Sequence, residues 1–145
     1  MNAAQKFLRR NASDRLLLLE ALGWLCWARL LLVSVPFRWI APRLGRHMEE
    51  TSGALAEPGR PVADRVSWAV EAVARQAPRA FVCLPQAMAA KWMLRRRRIA
   101  CTIYLGLRRG EEAGLTAHAW VRAGNKILTG RQEAVGHQVI ASFGD

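Results

Sequence analysis

From residue 16 to residue 37 the chain is almost unbroken in its apolar character (LLLLEALGWLCWARLLLVSVPF), whereas past residue 60 apolar and polar positions follow readable periods. The first stretch predicts a helix over 14–34, capped by Ser13 or Asn11 and stopped by Pro36. Its apolar residues cover nearly every side, so a large part of it must be covered by something. A short second helix is expected over 37–46. The segment 49–61 (EETSGALAEPGRP) has turn composition and reads as a linker. Over 62–77, Val62, Val66, Ala69, Val70 and Val73 fall on one helical face and Asp64, Arg65, Glu71 and Arg75 on others, with Pro78 ending the element. A further helix is expected from Cys83 or Leu84 to about Arg97, with Pro85 in the first turn, where a missing N–H costs nothing.

The period then changes to two. Ile99, Cys101, Ile103, Leu105 and Leu107 alternate with Ala100, Thr102, Tyr104, Gly106 and Arg108, which predicts a strand. A loop over 109–114 leads to a second strand over 115–122, with Leu115, Ala117, Ala119 and Val121 on one face and Thr116, His118, Trp120 and Arg122 on the other. Residues 123–126 (AGNK) make a hairpin turn, 126–129 return, and 139–143 form a last short strand. Helices followed by an antiparallel sheet is the α+β order. The expected organisation is an N-terminal Leu-rich helical segment (1–48), a linker (49–61) and a core (62–145).

Composition narrows what such a fold can do. The chain has 145 residues, 52% hydrophobic and 23% charged, enough to bury a core without disulfides or metal. Its formal charge of +11 favours an acidic partner. The three cysteines, Cys26, Cys83 and Cys101, form no CxxC pair and no Cys/His cluster with zinc spacing, so neither a disulfide framework nor a metal centre is expected. With no secretory signal pattern, the cytoplasm is the expected compartment. Within 16–37, Glu20 and Arg29 would be costly at a bilayer centre and the flanks are Arg-rich on both sides. The stretch therefore reads as a buried or interfacial helix rather than a span, with peripheral membrane contact through 16–37 as one role for it. No GxxxxGK[ST] loop is present, and the run Arg95–Arg96–Arg97–Arg98 reads as a dipole-matched helix end rather than a nucleic-acid surface.

Two residues stand out chemically. Cys83 lies at a predicted helix start, where unpaired N–H groups favour the nucleophilic thiolate. The structural alternative is a buried cysteine, which Cys26 and Cys101 fit better by their apolar surroundings. His118 lies on a strand beside Trp120; alone it reads as a half-buried histidine, but with Cys83 it can make a thiol–imidazole couple. His47 and His137 have no evident chemical company.

The stretch 83–98 (CLPQAMAAKWMLRRRR), the strand 99–107 and the motif 117–121 (AHAWV), which places His118 35 residues after Cys83, resemble the lasso-peptide leader peptidases of the transglutaminase-like cysteine-protease superfamily. The Leu-rich opening is similar to that of the family's stand-alone members. The resemblance implies a papain/transglutaminase-like core, with the nucleophile at a helix N-terminus packed on an antiparallel sheet. It implies a cofactor-independent cysteine endopeptidase that removes the leader from a ribosomally synthesised precursor peptide, with Cys83 as nucleophile and His118 as general base and acid. It further implies two partners: a separate leader-binding protein, because the chain has no room for such a domain ahead of the Leu-rich helix, and an ATP-dependent lasso cyclase. Family members usually carry an Asp on the strand after the His hairpin. Here the window 127–131 (ILTGR) holds no carboxylate. Thr129, a backbone carbonyl or Glu133 are the candidates to orient His118, or the pair works as a dyad. That departure also supports a second reading, a catalytically weak scaffold on the same fold. The charge and the Leu-rich helix support a third, a basic protein that binds membrane surfaces or nucleic acid.

Overall fold

The structure is a computed structural model; it describes residues 1–53, 59–110 and 114–145, and the side chain of Glu133 lies outside the description. Parts of the expected linker and of the expected 109–114 loop therefore fall outside the described residues.

Helix α1 (Ala3–Leu8) carries a capping box between Asn2 and Gln5. Helix α2 (Ala12–Ser34) is the Leu-rich helix, and Asn11 rather than Ser13 caps it, accepting from the Asp14 N–H at 2.8 Å. The second helix is shorter than expected. It runs as α3 (Phe37–Ile40) and then tightens into a 3-10 turn over Ala41–Arg43, because Pro42 cannot donate to an α-helical ladder. Arg46–His47 form a two-residue strand, β1, that residue patterning did not reveal. Helix α4 (Gly59–Ala74) takes its first turn from the expected linker and ends before Pro78, with the Gln76 and Ala77 N–H groups bonding three residues back as the chain tightens. Helix α5 (Cys83–Arg96) starts at Cys83 with Pro85 in its first turn.

The expected strand from Ile99 begins later, as β2 (Thr102–Arg109). The Ile99 N–H still bonds the Leu94 carbonyl, and Arg98 sits at φ 57°, so these residues close the helix. Strands β3 (Leu115–Ala123) and β4 (Lys126–Thr129) form the predicted hairpin, turned by Gly124 at φ 60°. A four-residue helix, α6 (Arg131–Ala134), precedes β5 (Gln138–Gly144). The sheet order is β1-β5-β2-β3-β4, antiparallel throughout. The fold is thus the expected α+β, N-terminal helices followed by an antiparallel sheet.

Helix α5 lies between the sheet and α2, and Ala87 through Leu94 are all buried. Leu17, Ala21, Leu25 and Ala28 of α2, Val66 and Val70 of α4, Met88 and Met93 of α5, and Ile103, Val121 and Phe143 of the sheet share one core. The arginine run serves this packing. Arg96 and Arg97 clasp Glu20 of α2 at 3.2 and 2.7 Å, and Arg95 bonds Asp145 and the Arg43 carbonyl. The run is the expected cationic helix end, with Arg95, Arg96 and Arg98 exposed, and it also clamps α5 to its neighbours. Trp92 packs inward, against Trp24.

Candidate active site

Helix α5 places Cys83 at its first position. The preceding residue, Val82, offers no side-chain cap, so no capping oxygen occupies the amides of the first turn. A Ser or Asp there would typically stabilise the helix by about 1 kcal/mol; its replacement by valine leaves the positive end of the helix directed at the thiol. Cys83 is half-buried. Of the other cysteines, Cys101 is buried as expected, and burial pushes its thiol up to about 12. Cys26 is exposed, contrary to the expectation of a buried structural residue, because it lies on the outer side of α2.

His118 is buried in the middle of β3. Ala119 and Val121 turn into the core, so alternation puts His118 and Trp120 on the other face. There Trp120 stacks between Tyr104 and His118, with ring centroids at 5.6 and 5.9 Å and interplanar angles of 18°. The stack fits because residue 106 of β2 is glycine: a Cβ there would lie 2.7 Å from the Trp120 ring and 3.0 Å from the His137 Cβ. His137 completes the cluster, its ring 5.3 Å from that of His118, and neither of its ring nitrogens has a hydrogen-bond partner among the described residues. This neighbour was invisible in the sequence, since it depends on β5 pairing with β2.

Cys83 and His118 line one cleft of about 710 Å³. Ser67 and Glu71 of α4 and Arg75 just past its end form one wall, Gln86 sits one turn beyond Cys83, and Gly130 and Arg131 close the side nearest His118. The Ser67 hydroxyl donates to the Leu128 carbonyl and ties α4 to β4. Gln86 donates to the Phe81 carbonyl at 2.7 Å, holding the turn ahead of Cys83.

The group that meets His118 Nε2 is the Gly130 carbonyl, at 3.1 Å. A carbonyl accepts, so Nε2 carries the proton in this arrangement, and Nδ1 is the basic nitrogen of the neutral ring. Thr129 is buried next to this carbonyl, and its hydroxyl has no hydrogen-bond partner among the described residues. Gly130 is at φ 70°, and a Cβ on it would lie 2.6 Å from His118 Nε2. The close approach of backbone to imidazole therefore requires glycine.

No curated protein and no solved structure matches the chain. A family model described as transglutaminase-like superfamily matches residues 31–142, well over half of the chain, including Cys83, His118 and Gly130. On the strength of that match, this chain belongs to the transglutaminase-like superfamily.

Proposed function

We propose that this protein is a cysteine endopeptidase that removes the leader from a ribosomally synthesised lasso-peptide precursor in the cytoplasm, with Cys83 as nucleophile and His118 as general base and acid. The observation that carries the catalytic part is the cleft shared by Cys83 and His118, with His118 Nε2 held by the Gly130 carbonyl. The superfamily supports thiol chemistry. The leader substrate rests on the resemblance of 83–107 and 117–121 to leader peptidases, as do the separate leader-binding protein and the cyclase.

The chemistry follows from the ring's tautomer. His118 Nδ1 takes the Cys83 thiol proton, giving a thiolate–imidazolium couple beside the positive end of α5. Sγ attacks the carbonyl carbon at the leader–core junction, and the electron pair moves onto the carbonyl oxygen. The Cys83 and Leu84 N–H groups, which have no helical acceptor in the first turn, are the donors suited to that oxyanion. As the tetrahedral species collapses, His118 gives its proton to the leaving amine and the core peptide departs. Water, deprotonated by His118, then hydrolyses the thioester, releasing the leader acid and restoring the thiol. A neutral carbonyl at Nε2 orients the ring without adding the full negative charge of a carboxylate.

Cleavage is tested by incubating the chain with a precursor peptide and its leader-binding protein and following the products by mass spectrometry. Wild type is expected to cut at the leader–core junction and Cys83→Ala to leave the precursor intact. Equal cleavage by Cys83→Ala would exclude the peptidase reading. Formation of the complex with no cleavage by either form would favour the scaffold reading, which the lack of a carboxylate in the 127–131 window supports.

A further inference from the structure

Helix α2 buries only one side. Leu17, Ala21, Leu25 and Ala28 face α4 and α5, yet in its most apolar 18-residue window 22% of the residues are buried. The outward arc is also apolar: Leu16 is 68% exposed, Trp27 48% and Leu30 52%, with Leu19 and Val33 between and beyond them. The patch continues past the end of the helix. Trp27, Leu31, Val35 and Trp39 line a groove of about 710 Å³, and Trp39 is itself 59% exposed. Most of α2 lies ahead of the family match, which begins at residue 31. The arc up to Leu30 thus lies outside the matched residues, while Val33 and Trp39 lie within them.

The charge around this arc is one-sided. Residues 1–48 contain eight Lys and Arg against two acids. Both acids are drawn toward other elements, Asp14 to Arg65 at 2.8 Å and Glu20 to Arg96 and Arg97. The cations include Arg29 at the margin of the arc and Arg38 beside Trp39, both exposed. An aliphatic strip with tryptophans and a fringe of arginines matches the two layers of an anionic lipid surface, acyl boundary and headgroups. It does not match a second copy of itself, since apposing two such arcs would bring like-charged fringes together. The ion pairs from Glu20 and the buried inner side hold α2 against α4 and α5, so the contact is with the helix lying along the surface.

We propose that the outer arc of α2, continued by Trp39, is a docking surface for anionic lipid bilayers that holds this protein at a membrane surface. The proposal is independent of the peptidase reading, and its test needs no precursor. The full chain is sedimented with vesicles of phosphatidylglycerol and phosphatidylcholine, and with phosphatidylcholine alone. It is expected to travel with the anionic vesicles, with a blue shift of tryptophan emission, and to be released as salt is raised. Leu30→Glu is expected to weaken binding by about tenfold or more, from the burial lost by one leucine. Arg29→Gln and Arg38→Gln are each expected to weaken it about fivefold. All three positions are exposed, and circular dichroism reports whether each variant folds; if Leu30→Glu does not, the arginine variants carry the test. Failure to bind anionic vesicles, equal binding to both vesicle types, or folded variants that bind like wild type would overturn the proposal. So would a dimer in vesicle-free buffer that Leu30→Glu splits, because the arc would then be covered by a second copy.

Discussion

One added carbon at position 130 would meet two atoms at once. A Cβ on Gly130 would lie 2.6 Å from His118 Nε2 and 2.9 Å from the Ala119 carbonyl, in a backbone conformation at φ 70° that side chains disfavour. Gly130→Ala is therefore expected to displace the imidazole and to strain the turn after β4 (Lys126–Thr129). The strain should cost about 1 kcal/mol of stability. The displaced ring should lower kcat by about a hundredfold, the penalty typical of an ångström-scale misplacement of a catalytic group. Precursor cleavage and a thermal melt on the same protein separate the two effects, and a melt shift with unchanged kcat would rule out a positioning role for this carbonyl. In the sequence the missing Asp is plain and a backbone carbonyl is one of three candidate substitutes, but nothing there points to Gly130. A backbone acceptor leaves no side-chain signature, and a glycine between Thr129 and Arg131 reads simply as a turn.

Between elements, Glu20 carries much of the connection from α2 (Ala12–Ser34) to α5 (Cys83–Arg96). The hydrogen bond from Arg97 holds its carboxyl below the ordinary value of 4.5, against the opposing effect of partial burial, with the Arg97 and Arg96 charges adding to the lowering. A carboxyl whose folded value is lowered makes the folded state bind fewer protons than the unfolded chain. Its contribution is complete above 4.5 and disappears as pH falls through the lower folded value. Glu20→Gln is expected to cost about 1 kcal/mol at neutral pH, as for a partly exposed charged network. Urea titrations should show the gap to wild type closing as pH is lowered to about 3, and a gap independent of pH would show that the pair contributes no net charge stabilisation. This connection also marks how far patterning reaches. The existence of α2, α4 (Gly59–Ala74) and α5 and of the β3–β4 hairpin was legible, because period and punctuation agree there. Which side of α2 is buried was not, because leucines lie all round it. Contacts across the fold settle it: Leu17, Ala21, Leu25 and Ala28 pack into the core, and Glu20 meets Arg97, 77 residues away. The strand Arg46–His47 was equally hidden, since it exists only because Phe143 and Gly144 of β5 lie opposite.

Across the whole molecule, one buried cation joins the helical and sheet layers. Lys91 has no exposed surface; its ammonium donates to the carbonyls of Cys101 at 2.6 Å and Phe143 at 3.2 Å and pairs with Asp145 at 3.0 Å. It thus ties α5, which begins with Cys83, to the entry of β2 (Thr102–Arg109) and the end of β5 (Gln138–Gly144), and β2 is the strand paired with the one that carries His118. Burial alone would raise the Asp145 carboxyl. The hydrogen bonds from Lys91 and Arg95 outweigh it and hold the group below its ordinary value, so it is charged where it faces Lys91. Asp145→Asn would keep the shape but leave a fully buried ammonium facing dipoles alone, at an expected cost of about 3 kcal/mol. Lys91→Met should cost less. The carboxylate left behind is partly exposed and keeps Arg95 at 3.0 Å, while the methionine fills most of the lysine's volume. Urea unfolding of the two variants tests that order. A reversed order would mean that the carbonyls of Cys101 and Phe143, rather than the carboxylate, are what the buried ammonium serves, and that the layers carrying Cys83 and His118 are joined by a dipole cage instead of an ion pair.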